Sequence, residues 1–439
     1  MGGHRPAFHL TPERGRLNDP NGLIRLGGAG SDGAWHVFYQ LDPGFPDEPR
    51  HTGWGYATSE DLLTWRHRPQ ALFPDAPYDA DGCFSGGAVV PQTPGGPVEL
   101  FYTGNLPMPG EDAGTGAADV PVGHVWGATQ NLALAAQRAD GSLDVPVKHP
   151  ANPLIPGPPP GFTAHYRDPI VTEDPDRPGT WRMLLGARTD DDRGTALLHF
   201  SRDRRDWGTG RELRIDGPSP GGYMWECPNL LRMTDAATGE PADVLILSPQ
   251  GIRAGSGDAL RNRYQCGYLV GRLDGATFHV TTPFMELDHG FEFYAPQVFA
   301  GTGMAPPVML GWMGMPEEDD HPTITAEGWL HCLTVARELL LYDAHLIQSP
   351  VLPTGDQLPE AADAHVGDVF RVRLDGDGIV ELHASAPARG GDHRQRTGAS
   401  TLRVGAPTLH VGNDDGTEEP LVTVSLAGDR VTVSRRNAG

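Results

Sequence analysis

The chain has few of the residues from which several kinds of site are built. Its 439 residues include only 4 cysteines, Cys83, Cys227, Cys266 and Cys332, and no two form a CxxC pair. Such spacing supports neither a zinc knuckle nor a disulfide framework, so free thiols are expected. Histidine is present 18 times, yet never as HExxH and never paired with cysteine at zinc spacing. No metal site and no cofactor is therefore predicted. There is no apolar run of about 18 residues, which a membrane-spanning helix would need. The opening MGGHRPAFHL lacks the apolar stretch of a secretory signal, so a cytoplasmic protein without a membrane partner is expected. Basic side chains are also scarce. Lys and Arg number 34 against 57 Asp and Glu, a net charge of -23. That surface repels nucleic acid and anionic lipid and leaves a neutral or cationic ligand. None of this fixes an oligomeric state.

What is abundant is turn chemistry. Glycine (58) and proline (42) are frequent, and apolar residues make up 38%. This balance favours many short strands joined by tight turns. The stretch RLNDPNGL (16–23) looks like one such turn, with proline fixing φ and Asn, Asp and Gly tolerating tight conformations. A similar cassette returns as HYRDPIV (165–171) and WECPNLL (225–231). Each sets a carboxylate one or two residues before a proline.

The cassettes keep time with a longer repeat. Apolar strands WHVFYQ (35–40), VELFYTG (98–104), WRMLLGAR (181–188), DVLILSPQG (243–251) and PVMLGWMG (307–314) are each followed by a second strand and a charged turn. Ser59-x-Asp61…Trp65 and Ser201-x-Asp203…Trp207 echo one another. A spacing of roughly 60–80 residues leaves room for four short strands per unit. An all-β, five-bladed β-propeller is predicted. Each cassette, including DGCFSGG (81–87) and FYAPQ (293–297), precedes its apolar strand and so falls on the innermost strand of a blade. Proline is tolerated there and is expected to hold its predecessor extended. Asp19, Asp168 and Glu226 should then meet at one mouth of the central channel. For any single cassette an ordinary turn is the competing reading; the phased set argues against it.

Acid groups converging on a polar cleft, with no metal or Ser/Cys nucleophile motif, suggest glycoside hydrolysis. One acid must stay protonated while another is ionised. Glu226, among Met224, Trp225 and Cys227, reads as the acid, because apolar neighbours raise its proton affinity. Asp19, among Asn18, Asn21 and turn amides, reads as the anion and nucleophile. Asp168 would stabilise developing positive charge. Trp54, Phe84, Tyr294 and Trp312 are candidates for an apolar sugar floor, with core packing the competing role for each.

Taken together, Asn18–Gly22 (NDPNG), Arg167–Pro169 (RDP) and Glu226–Cys227 (EC) resemble the signatures of glycoside hydrolase family 32, the β-fructofuranosidases. FYQ (38–40), WGYATSEDLLTW (54–65), DGCFSG (81–86) and GWLHCLTVARELLL (328–341) extend the resemblance over about residues 7–350. It implies a retaining mechanism through a fructosyl-enzyme, with Asp19 the nucleophile, Glu226 the acid/base and Asp168 the transition-state stabiliser. It also implies a fructose subsite lined by Asn18, Gln40, Trp54, Ser85 and Arg167. Arg16 stands where the family often carries tryptophan, a change read as one of packing, and Glu292 stands where Asp is usual. The loop 108–123 is long and acidic. The family's second module is a β-sandwich. Here DVFRVRL, IVELHAS, TLRVGA, LVTVSL and RVTVSRR alternate as strands, but an incomplete sandwich is expected over 349–439, after a propeller spanning 1–348.

The expected substrate is a small sugar, sucrose or a short β-fructoside. The charge of -23 and the acidic loop favour sucrose over sucrose 6-phosphate. Arg188, Arg193, Arg261 and Arg263 are the arginines to suspect if the phosphate is preferred. Fructosyl transfer on the same site and an inert carbohydrate-binding propeller are the alternatives. A third is an inverting arabinose-polymer hydrolase, which NDPNG and EC together argue against.

Overall fold

The computed structural model describes residues 5–6, 8–27, 33–106, 127–255, 260, 262–290, 292–303, 306–316 and 319–351. It also describes the strands Ala364–Val366, Gly378–Leu382, Thr401–Gly405, Thr408–Val411, Val422–Ala427 and Arg430–Arg435. The acidic loop 108–123, Arg261 and the predicted strand 368–374 lie outside these residues.

Five antiparallel sheets follow one another around a central axis. Blade 1 is Gly15–Leu26, Ala34–Asp42, Gly53–Ser59 and Arg66–Leu72. Blade 2 is Cys83–Val89, Val98–Asn105, Ala128–Ala135 and Val147–Lys148, and blade 3 is Phe162–Glu173, Trp181–Thr189, Gly194–Ser201 and Arg211–Glu212. Blade 4 is Met224–Thr234, Pro241–Gln250, Gly267–Asp274 and Thr277–Glu286, with Arg214–Asp216 added in parallel on its outside. Blade 5 is Tyr294–Val298, Val308–Met313, Arg337–Tyr342 and His345–Pro350. It departs from the simple repeat. Trp329–Leu330 and Cys332–Leu333 are separate short pieces broken at His331, which has φ 63°, before the third strand begins at Arg337. Trp329–Leu330 leaves blade 5 and pairs in parallel with Gly15 and Arg16 of blade 1, closing the ring.

The continuous apolar runs of the second strands have a simple cause. Blades stack face to face, so both faces of a strand are buried. Val244 and Ile246 face blade 5, beside Met309 and Leu339. Leu245 and Leu247, alternating with them, face blade 3, beside Leu184 and Leu198. The same alternation splits Tyr102, toward Phe38 and Trp54, from Phe101, toward Tyr166 and Met183. The core is thus five apolar wedges, one per blade interface. The paired Ser-x-Asp turns also repeat in three dimensions. Ser59 Oγ accepts from the Leu62 N–H and Ser201 Oγ from the Arg204 N–H, each at 2.8 Å.

All five cassettes lie on innermost strands, and in each the pairing register slips. Proline suits these bulges because it supplies no ladder N–H. In three of the four proline-bearing cassettes the residue before proline is not extended, however. Asp168, Cys227 and Ala295 have φ of 67°, 47° and 46°. The bulge, not an extended pre-proline residue, turns the preceding side chains toward the channel mouth. It places residues in a costly left-handed conformation there.

Beyond the propeller the six described C-terminal strands form a single sheet. A sandwich needs a second sheet, and the described residues contain none there. No helix of the described residues is long and apolar enough to cross a membrane.

Candidate active site

A cavity of about 550 Å³ opens at the channel mouth, walled by Asn18, Asp19, Gln40, Phe84, His165, Arg167, Asp168, Glu226, Gln250, Tyr294 and Trp312, among others. Asp19 comes from blade 1, Asp168 from blade 3 and Glu226 from blade 4. The Cys227 thiol links two of them, lying 3.6 Å from Oδ2 of Asp19 and 3.6 Å from Oδ2 of Asp168. The Cys227 backbone N–H also donates to Asp168 Oδ2 at 2.8 Å.

Asp19 is held by side chains, not by turn amides. Ser85 donates to its Oδ2 at 2.5 Å, and Gln40 reaches the same oxygen at 3.3 Å. Asn18 is fixed in turn by Gln40 Oε1 at 2.8 Å. Burial pushes the Asp19 carboxyl above its ordinary proton affinity; the Ser85 bond opposes this and the nearby Glu226 charge adds to it. Burial likewise raises Asp168 to about 7, with Arg167 opposing and the charges of Glu226 and Asp19 reinforcing.

Glu226 does not sit in an apolar nest. Strand alternation turns Trp225 into the blade 3 interface and leaves Glu226 facing polar donors. Arg167 donates to Oε1 through Nε (3.1 Å) and Nη2 (2.6 Å). Gln250 and Tyr294 donate to Oε2 at 2.7 and 2.6 Å. The surroundings of the two acids therefore differ from the sequence expectation: burial raises the proton affinity of Asp19, and Glu226 faces polar donors.

Two candidates lie behind the wall. Trp54 is fully buried in the blade 1–blade 2 wedge, donating through Nε1 to the Phe84 carbonyl at 3.0 Å. Ser85 supports Asp19 from beneath. Tyr294 meets Glu226 through its hydroxyl, while Trp312 packs edge-on against it with centroids 6.4 Å apart. Phe84 lies on the wall.

Sequence reading missed several wall residues, among them Gln250 and His165. Gln250 ends the second strand of blade 4 as Gln40 nearly ends that of blade 1. The matching glutamines of FYQ and SPQ were the available signal. His165 precedes RDP by two residues. Its Nδ1 lies 3.0 Å from Nη1 of Arg167, which can only donate, so Nδ1 accepts and the ring proton sits on Nε2. Burial, reinforced by Arg167 and Arg188, lowers its pKa to about 4 and keeps it neutral.

Comparison with known proteins agrees with this geometry. The profile of the Glycosyl hydrolases family 32 N-terminal domain matches residues 9–350. The chain belongs to glycosyl hydrolase family 32. It is 38% identical to the sucrose-6-phosphate hydrolase of Klebsiella pneumoniae over 356 residues, 79% of this chain and 67% of that protein. It is 37% identical to the enzyme of the same name from Bacillus subtilis (strain 168) over 360 residues, 79% of this chain and 65% of that one. The chain thus spans about two thirds of the length of these family 32 relatives. Among solved structures, a mutant of the Bombyx mori GH32 beta-fructofuranosidase in complex with sucrose superposes with a TM-score of 0.65 at 27% identity. That match covers 98% of this chain and 89% of the other.

Proposed function

We propose that this chain is a retaining β-fructofuranosidase that releases the terminal fructose of sucrose-type substrates. The observation that carries the reading is the convergence of Asp19, Asp168 and Glu226 from three blades on one cavity, tied together by Cys227 and Arg167. Asp19 attacks C2 of the fructosyl unit while Glu226 gives a proton to the departing glycosidic oxygen. The C2–O bond to the leaving sugar breaks and an Asp19 ester forms. Water, deprotonated by Glu226, then attacks C2 and frees Asp19.

Asp168 accepts hydrogen bonds from fructose hydroxyls and offsets the charge of the oxocarbenium-like transition state. Asn18 and Gln40 hold the sugar at the cavity floor. Arg167 and Tyr294 orient the Glu226 carboxyl. A retaining mechanism requires the Asp19 and Glu226 carboxyls to act across about 5–5.5 Å.

The test is incubation with sucrose, with the first fructose followed by NMR before mutarotation. The β-anomer is expected. Release of the α-anomer rules out the double displacement, and no release from any short fructoside rules out the activity.

A further inference from the structure

Of the arginines suspected from sequence, the described ones, Arg188, Arg193 and Arg263, do not line the cavity. Arg188 is paired with Asp192 at 2.5 Å and Arg193 with Glu212 at 2.6 Å, while Arg263 stacks over Tyr264. Among the described residues, the guanidiniums lining the cavity besides Arg167 are those of Arg16 and Arg50. They share one buried counter-ion. Asp42, 3% exposed, is the register partner of Arg16 across blade 1, and its Oδ2 lies 3.6 Å from Nε of Arg50.

Arg50 is anchored by its stem. Nε donates to Thr52 Oγ1 at 3.0 Å, and the guanidinium lies 5.7 Å from the Phe84 ring centre. Its two terminal amino groups reach no acceptor among the described residues, and its side chain is 58% exposed. It is therefore the exposed part of a lining that also includes the buried Asn18 and Gln40. Arg16 is more enclosed, at 11% exposure, packed 5.8 Å from the Trp312 ring centre and 2.9 Å from Asp319. A chain of contacts joins Glu226 through Tyr294 and Trp312 to Arg16, so Arg16 shares the cavity wall with the proposed acid.

We propose that Arg16 and Arg50 form a two-guanidinium clamp for a phosphomonoester carried by the leaving sugar. A guanidinium presents paired N–H groups that match phosphate oxygens, and Arg50 has that fork open. Asp319, half-exposed on Arg16, is the competitor that a bound phosphate displaces. This local arrangement outweighs the overall charge of -23, because exposed charges beyond about 10 Å are screened. It reverses the preference for plain sucrose expected from composition. The proposal rests on the fructosidase reading for the identity of the leaving sugar.

The test is the ratio of kcat/KM for sucrose 6-phosphate to that for sucrose, in the full chain and in three variants. Arg50→Gln and Arg16→Leu are each expected to lower the ratio tenfold or more. Asp319→Asn, which releases Arg16, is expected to raise it threefold or more. A merely structural role moves both substrates together. A ratio unchanged in Arg50→Gln and Asp319→Asn overturns the clamp. Titration calorimetry of both sugars on Glu226→Gln protein reads the clamp without turnover. Tighter binding of the ester, lost on adding Arg50→Gln, is expected, and equal binding of the two sugars overturns the clamp. Ester-selective binding in a chain that cleaves neither sugar supports the clamp while sinking the hydrolase reading.

Discussion

Tyr294 donates its hydroxyl to Oε2 of Glu226 at 2.6 Å, joining the inner strand of blade 5 to that of blade 4 at the proposed acid/base. In the proposed mechanism the bond fixes the carboxyl that faces the glycosidic oxygen. Tyr294→Phe is expected to lower kcat on sucrose about 10- to 100-fold, the size of a lost hydrogen bond to a charged group. Fructosyl fluoride, whose leaving group needs little protonation, should be far less affected. An equal loss on both substrates would show that Tyr294 serves binding and not the acid.

The two principal acids should separate by rescue. Asp19→Ala removes the proposed nucleophile and should leave no turnover at any pH. Glu226→Ala should retain the first step on fructosyl fluoride, and added azide should then yield fructosyl azide of retained configuration. Near-normal sucrose hydrolysis by either variant would sink the assignment.

Ser85 is the main force opposing the effect of burial on Asp19. Its hydrogen bond favours the anion, so Ser85→Ala should raise the Asp19 proton affinity further. The nucleophile must be ionised, and the acidic limb of the kcat/KM profile is expected to move to higher pH. A limb that stays in place, or moves down, contradicts the role given to Ser85.

Asp168 carries a stability cost with a definite pH window. Its pKa is raised from 3.8 to about 7 on folding, so its stabilising contribution is complete below about pH 4 and is lost as pH rises through 7. At pH 8 the buried carboxylate costs no more than about 4 kcal/mol, from three units at about 1.36 kcal/mol each. Asp168→Asn should therefore melt higher than the parent at pH 8, with the difference closing at pH 4. A parent chain as stable as the variant at pH 8 would refute this.

Much of the architecture was legible in the sequence because it repeats. Five apolar strands in phase with five polar cassettes define blades without knowledge of any contact, and the paired Ser-x-Asp turns recur with the same 2.8 Å bonds. Blade 5 departs from the repeat where the chain leaves its own sheet. The closing partner of Trp329–Leu330 lies some three hundred residues away in blade 1, and no local pattern announces it.

Sequence by itself brought the three carboxylates Asp19, Asp168 and Glu226 to the channel mouth. Blade equivalence puts Asp19, Asp168 and Glu226 at matching positions, and proline marks the bulges where the strands turn them inward. Only the tertiary structure decided what surrounds each one. The neighbours of Glu226 in sequence are apolar, but the next residue on a strand faces the opposite side, so Trp225 enters a blade interface while Arg167, Gln250 and Tyr294 arrive from elsewhere. Arg16 read as packing until ring closure set it on the cavity wall near Arg50. Charge, burial and hydrogen bonding are properties of neighbours in space, and in a propeller those neighbours come from the other blades.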